Sequence, residues 1–242
     1  MERKDIQIIY EDDNMIAVNK PAHLLVHPYG EGNDYALTDW LLKHYSEVRK
    51  VGDDPKQRPG IVHRLDKDTS GVMLIPRSQE YFKYLKNLFQ TKEIQKTYVA
   101  LVWGKIQEKK GVIDKPISIK SGTTKRTVHE GKMAKEALTE YETVDRFEYD
   151  DPDSEKRKVQ EFTLVRVRPK TGRTHQIRVH MASIGHSIVG DIMYGSKKNP
   201  FGLDRQFLHA ESVEFVASPG HKLNIEAPLP ADLQRVLTKL NA

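Results

Sequence analysis

The stretch of residues 60–71 constrains this sequence most, because Gly60 and Gly71 bracket a dense set of polar side chains directly before an apolar run. The run, residues 72–75, predicts a short buried strand. A polar loop that is held by a rigid neighbour of this kind often carries chemistry. The polar residues inside the bracket are His63, Arg64, Asp66, Lys67, Asp68, Thr69 and Ser70.

The residues of this loop allow two interpretations. Asp, Thr, Ser and Gly form ordinary solvated turns, because their side chains satisfy nearby backbone groups or because they tolerate positive φ. Two features oppose that interpretation. Leu65 is expected to be buried, which holds the charged residues on either side of it close to the protein interior, and Arg64 lies close to Asp66. An opposite charge favours the ionised form of a carboxylate, and an ionised, positioned carboxylate can act as a nucleophile or a base. Asp66 is therefore a candidate catalytic residue.

Three stretches of the sequence resemble motifs of one enzyme family, the RluA-type pseudouridine synthases, which isomerise uridine to pseudouridine within RNA. Residues 63–71 read His-Arg-Leu-Asp, two further residues and Thr-Ser-Gly, as in the family signature. Residues 96–98 match the family's Lys-x-Tyr sequence, and residues 171–181 contain its Gly-Arg-Thr-His-Gln-x-Arg-x-His motif. The resemblance extends from about Ile6 to Leu240.

The resemblance implies an α+β fold, with a mixed, largely antiparallel central sheet in two halves, surrounding helices and a central active-site cleft. We expect one catalytic domain that spans residues 1–242. Many relatives carry a small RNA-binding domain of the S4 type before the catalytic domain. We expect none here, because the catalytic pattern begins by residue 6.

The resemblance also implies roles for single residues. Asp66 corresponds to the catalytic aspartate, a nucleophile or charge stabiliser, and whether it attacks the sugar or the base stays open. Arg173 corresponds to the arginine that pairs with this aspartate, and Tyr98 to the tyrosine that packs against the target base. Arg64 is expected to fill the gap left by the flipped base or to brace the RNA backbone. The further substrate-binding candidates are His63 and Thr69.

The chemistry of this reaction indicates whether the protein needs a cofactor or a metal. It breaks a carbon–nitrogen glycosidic bond and forms a carbon–carbon bond without gain or loss of electrons, so we expect neither a cofactor nor a metal. The target base must first leave the helical stack, which costs a few kcal/mol, so the protein has to hold the flipped nucleotide.

Residues 105–135 form the most basic stretch of the chain. They include nine Lys or Arg and three Asp or Glu, a net charge of 9 − 3 = +6. The stretch resembles a flexible basic arm or hairpin suited to phosphate contacts, which position an RNA without reading its sequence. We select Lys125, Arg126 and Lys132 as RNA-binding candidates, with a solvated loop as the alternative.

Composition agrees with an RNA partner. The formal net charge is +5 and the isoelectric point is about 9.1, which suits a polyanion. The sequence has no cysteine, which excludes disulfides and thiolate sites, and no apolar run approaches the ~20 residues of a membrane helix. We expect a monomeric, cytoplasmic enzyme that binds ribosomal or transfer RNA and no membrane.

Several residues near these motifs are expected to have structural roles. Lys20 and His27 are interpreted as solvated loop charges. Thr174 is expected to cap a helix with its hydroxyl. Arg178 and His180 are interpreted as groups of the helix surface or of structural hydrogen bonds.

Two other functions stay open at this point. One is a non-catalytic RNA-binding protein that kept the fold, although such a protein has no need of Asp66, Tyr98 and Arg173 together. The other is a glycosidase that uses Asp66 and Asp68, but carboxylates on one turn give no assurance of the ~5–9 Å separation that such pairs need.

Overall fold

The computed structural model describes residues 6–28, 34–151, 159–195 and 199–241, and its fold is α+β. The chain divides into two compact units, which are described one at a time. Unit 1 comprises residues 1–96 and 210–228, and unit 2 comprises residues 97–209 and 229–242. Most of the strand pairs run antiparallel, and the described residues include four α-helices, which confirms the predicted fold class.

Unit 1 is built on three antiparallel strands, β1 (Gln7–Glu11), β2 (Met15–Lys20) and β3 (Ser70–Pro76). In the register of β2 and β3, Met15 lies opposite Pro76 and Lys20 opposite Gly71. Strand β3 is buried along its whole length and β2 along nearly all of it. The predicted apolar run therefore lies in the middle of a sheet, and the polar loop before it ends in a rigid strand.

The helices of unit 1 are α1 (Leu37–His44) and α2 (Gln79–Gln90), with a 3-10 helix at Ser46–Lys50. Helix α2 begins after Ser78, whose hydroxyl accepts a hydrogen bond from the backbone amide of Tyr81 at 3.2 Å. Its apolar stripe at helical spacing is buried. The buried residues are Tyr81, Phe82, Leu85 and Leu88.

Gly71, the last residue of the signature, is explained by a close approach of two backbones. Its φ is +122°, and a Cβ at this position would lie 2.2 Å from the carbonyl oxygen of Ala210. Ala210 belongs to strand β11 (Leu208–Ser218), which pairs with β12 (His221–Glu226) in unit 1. Any side chain at residue 71 would push these strands apart.

Unit 2 contains an antiparallel arrangement of four strands in the order β4, β10, β9, β5. They are β4 (Gln95–Trp103), whose first two residues lie in unit 1, β5 (Lys110–Asp114), β9 (Leu138–Tyr149) and β10 (Gln160–Pro169). Helices α3 (Gln176–Ser183) and α4 (Ala231–Leu240) complete the unit. Its apolar core includes Leu101, Phe162, Val165, Phe207 and Leu233.

The basic stretch forms part of a second, small sheet in unit 2. Strands β7 (Arg126–Thr127) and β8 (Lys132–Lys135) flank β6 (Ile117–Ile119) on its two sides, in antiparallel pairing. Part of the predicted arm or hairpin is therefore β structure, in which β6 and β7 pair as a short antiparallel hairpin. In the part of the chain that the structure describes, no helix is long and apolar enough to cross a membrane.

Candidate active site

Lys20 fixes the loop that carries Asp66. Its side chain is completely buried, and its ammonium donates hydrogen bonds to three backbone carbonyls: Pro21 at 2.8 Å, Leu24 at 2.9 Å and Lys67 at 3.0 Å. The interpretation of Lys20 as a solvated charge is wrong. A buried ammonium needs hydrogen-bond acceptors to replace water, and the Lys67 carbonyl, one residue after Asp66, supplies one of them.

The catalytic candidate itself lies in a tight turn. The backbone amide of Thr69 donates to the carbonyl of Asp66 at 3.1 Å, which closes the turn over residues 66–69. On the same turn, the Asp68 carboxylate lies 3.0 Å from Nδ1 of His23. Thr69 is only 2% exposed, whereas Asp66 is half-buried and Arg64 is exposed. The turn thus packs Thr69 inward and leaves Asp66 partly accessible, and Arg64 before the turn is exposed.

His63 anchors the other end of the loop to β3. Its Nε2 accepts a hydrogen bond from the backbone amide of Leu74 at 2.8 Å, so Nε2 carries no proton. Its ring lies 4.7 Å from the ring of Phe89, centroid to centroid. Burial, assisted by the charge of Lys96, lowers the pKa of His63 to about 3. His63 is therefore a neutral acceptor at physiological pH.

Lys96, the first residue of the Lys-x-Tyr sequence, acts on His63 through its charge. Burial lowers the pKa of the Lys96 ammonium to about 8, because a low-dielectric environment disfavours the charged form. The family motif includes this lysine, but the resemblance implied no role for it. Its place at the start of a predicted strand was the one sequence feature that could have indicated its burial.

Arg173 lies in the turn that precedes α3. Its backbone amide donates to Oε1 of Gln176 at 3.0 Å, and its side-chain Nε donates to the carbonyl of Glu136 at 2.9 Å. The predicted hydroxyl cap at Thr174 is wrong. Helix α3 begins at Gln176 after His175, which has a left-handed backbone conformation with φ +55° and makes no side-chain cap. The side chain of Gln176 reaches back to the turn instead.

Arg178 and His180 on α3 have the structural roles that were expected as one alternative. Arg178 forms a buried bidentate ion pair with Asp191, at 2.7 Å and 2.9 Å. His180 Nδ1 lies 2.8 Å from the Thr139 hydroxyl, and its Nε2 lies 2.9 Å from the Lys115 carbonyl. Burial lowers the pKa of His180, so a neutral ring that donates from Nε2 satisfies this network.

Tyr98 lies on β4, directly opposite Val167 of β10. It is half-buried and packs against the apolar core of unit 2. The ring is therefore partly held by protein contacts.

The three RNA-binding candidates belong to the small sheet or its connections. Lys125 and Lys132 are exposed, and Arg126 is half-buried. The backbone amide of Arg126 donates to the Tyr194 hydroxyl at 2.9 Å, and the same hydroxyl lies 2.8 Å from Nδ1 of His175. Tyr194 thereby ties the basic sheet to the residue that precedes α3.

The structure thus groups the predicted residues in two sets. Unit 1 carries His63, Arg64, Asp66 and Thr69 on one loop, and unit 2 carries Tyr98, Arg173, Lys125, Arg126 and Lys132. Sequence reasoning missed the buried role of Lys20 and the contacts of Gln176. Gln176 lies inside the motif of residues 171–181, and Lys20 lies outside the three motifs; their neighbours in the sequence gave no indication of these contacts.

Known proteins resemble this chain over most of its length. A family model described as RNA pseudouridylate synthase matches residues 14–183. An uncharacterized RNA pseudouridine synthase of Aquifex aeolicus is 41% identical over 198 residues, which is 82% of this chain and 58% of that protein. The ribosomal large subunit pseudouridine synthase D of Vibrio cholerae is 38% identical over 242 residues, with coverage of 94% and 68%. The chain thus spans about 58–68% of the length of these two relatives.

A solved structure shares the fold. Human RNA Pseudouridylate Synthase Domain Containing 1 superimposes with a TM-score of 0.75 and 23% sequence identity, over 100% of this chain and 98% of that one. The family match covers most of the chain, and the signature residues lie in the anchored loop described above. The chain therefore belongs to the RNA pseudouridylate synthase family, the enzymes that isomerise uridine to pseudouridine within RNA.

Proposed function

We propose that this protein converts specific uridines in structured ribosomal or transfer RNA to pseudouridine, with Asp66 as the nucleophile. The observation that carries the proposal is the anchored turn: a buried ammonium holds the Lys67 carbonyl, and a backbone hydrogen bond closes the turn at Asp66. A carboxylate that must attack at one atom has to be held in place, because well-oriented groups react far faster than mobile ones.

The chemistry assigned to Asp66 is an exchange of bonds. The bond between N1 of the base and C1′ of the sugar breaks, and a bond between C5 and C1′ forms. C5 loses its hydrogen as a proton, N1 regains a proton, and no electrons are gained or lost overall. Asp66 either attacks C1′ or adds to the base, and either route holds one fragment covalently while the base turns.

The remaining residues bind and orient the target nucleotide in this proposal. Arg64, exposed on the same loop, occupies the gap that the flipped base leaves. His63 and Thr69 contribute to substrate binding by holding that loop, since one accepts the Leu74 amide and the other is buried. Tyr98 stacks on the base, and Arg173 pairs with Asp66.

The proposal extends to the whole chain. We assign residues 1–242 to one catalytic domain. The net charge of +5 and the exposed Lys125 and Lys132 support a polyanionic partner. A ribosomal substrate is supported by the name of the Vibrio cholerae relative, a ribosomal large subunit pseudouridine synthase. We also assign the reaction to a monomer in the cytoplasm.

The substitution Asp66→Asn tests the assignment, with Asp68→Asn as a matched control on the same turn. Unmodified ribosomal RNA transcribed with uridine tritiated at carbon 5 releases tritium when that carbon loses its hydrogen. We expect Asp66→Asn to abolish release with RNA binding retained, and Asp68→Asn to turn over at close to the wild-type rate. Substantial pseudouridine formation by Asp66→Asn would refute the nucleophile, and release of free uracil would favour the glycosidase.

A further inference from the structure

Gln176 has an unusually complete set of hydrogen bonds for a side chain next to a proposed catalytic residue. It is 4% exposed. Its Oε1 accepts from the Thr171 hydroxyl at 2.7 Å and from the Arg173 backbone amide at 3.0 Å. Its Nε2 donates to the Leu138 carbonyl at 3.0 Å and to the Thr139 hydroxyl at 2.9 Å. A primary amide offers two donors and one oxygen with two acceptor sites, so the group is fully used.

These bonds connect the Arg173 turn to one short segment of chain. Gln176 binds Leu138 and Thr139 at the start of β9, and the Nε of Arg173 donates to the carbonyl of Glu136, two residues before β9. The same segment thus holds Arg173 in two ways. It binds the guanidinium directly, and it holds the Arg173 backbone through Gln176. The backbone amide of Gln176 also donates to the Arg173 carbonyl at 3.1 Å.

We propose that Gln176 is a positioning residue, which sets where the Arg173 guanidinium lies and thereby controls the catalytic step. This inference rests on the proposed role of Arg173. The Nε bond to Glu136 fixes one edge of the guanidinium and leaves its planar fork to be aimed by the backbone. If the Arg173 amide loses its acceptor, the turn can shift while the helix itself stays folded.

The substitution Gln176→Met removes all four polar contacts at similar volume. Thr139→Val is the matched control, because the Thr139 hydroxyl serves two buried partners, Gln176 and His180, but makes no contact with Arg173. We expect both variants to lose stability. We expect only Gln176→Met to lower kcat in the tritium-release assay, by ~10²-fold, the cost of a misplacement of about 1 Å, with KM changed less.

A double-mutant cycle separates positioning from a general structural role. If Gln176 acts through Arg173, Gln176→Met should lower kcat by less than ~3-fold in an Arg173→Lys background, because coupled residues are not additive. The same loss in both backgrounds, or equal kcat values for Gln176→Met and Thr139→Val, would overturn the proposal. A wild-type rate in Arg173→Lys would instead remove the proposed role of Arg173, and a slow Arg173→Lys with a fast Gln176→Met would overturn the inference alone.

A second pair of variants keeps the inference testable should Gln176→Met fail to fold. The Thr171 hydroxyl donates to Gln176 Oε1 and accepts from the Leu138 amide at 3.1 Å. Thr171→Ser keeps this hydroxyl and Thr171→Val removes it at equal size. We expect Thr171→Val to have the lower kcat and Thr171→Ser to stay near wild type. Equal turnover in the two variants would refute the positioning role.

Discussion

Replacing Lys20 with Met tests how much the catalytic loop depends on one buried ammonium. Methionine fills a similar volume and has no donor. The substitution leaves the carbonyls of Pro21, Leu24 and Lys67 without the hydrogen bonds that Lys20 now supplies. The first two carbonyls lie in the chain after β2, and the third lies in the turn of Asp66, so the loss affects both segments at once.

The size of the effect follows from two opposing terms. Three carbonyls that each lose a donor cost ~1–3 kcal/mol apiece, a total of ~3–9 kcal/mol. Folding of the variant no longer removes an ammonium from water, which recovers several kcal/mol of stability. The expected net loss of stability is ~2–4 kcal/mol, or ~4–16 °C in Tm for a chain of this length. Because the Lys67 carbonyl is released, turnover of the folded variant should also fall by ~10²-fold.

The assay pairs thermal unfolding with tritium release at a temperature where the variant is folded. Lys67→Met is the matched control, since it makes the same substitution one residue from Asp66 but at an exposed side chain. Its stability should change by no more than ~0.5 kcal/mol. If Lys20→Met and Lys67→Met behave alike in Tm and in turnover, the ammonium does not hold the loop and the reasoning is wrong.

Three further predictions concern the base, the RNA backbone and pH. Tyr98→Phe keeps the ring, whose stacking on a base is worth ~1–3 kcal/mol, and removes the hydroxyl. Slow turnover with an increased isotope effect from deuterium at carbon 5 would assign the hydroxyl to proton removal. Normal turnover would mean that Tyr98 acts by stacking only. Neutralising Lys125, Arg126 and Lys132 together should reduce the salt slope of RNA binding by ~2–3, and an unchanged slope means that the sheet does not touch RNA. His63 is held neutral when folded, so stability should fall as pH drops from about 6.5 to about 3; His63→Gln should flatten this dependence in urea unfolding at pH 7 and pH 4.5.

The sequence was sufficient to find the loop of Asp66 and the strand that follows it. An apolar run next to a glycine is a local signal, and β3 is buried as predicted. The buried stripe of α2 and its Ser78 cap are equally local features. Such features depend on residues a few positions apart, which is the range over which periodicity and capping rules operate.

Features that depend on distant chain segments were predicted poorly. The Lys20 ammonium reaches a carbonyl 47 residues away, and no local rule distinguishes it from a solvated lysine. The start of α3 was assigned to Thr174, because hydroxyl caps dominate isolated helices. In the folded chain the segment around residues 136–139 offers partners to Gln176, and the turn adopts the conformation that these contacts require.

Lys20, His63 and Gln176 share one physical property that the sequence does not show: each binds backbone atoms. Lys20 donates to three carbonyls, His63 accepts from the amide of Leu74, and Gln176 accepts from the amide of Arg173. Every residue type except proline presents the same amide and carbonyl, so such a contact leaves no mark on the identity of its partner. Anchoring of this kind is visible in a structure and hidden in a sequence, whichever residues the partner segment contains.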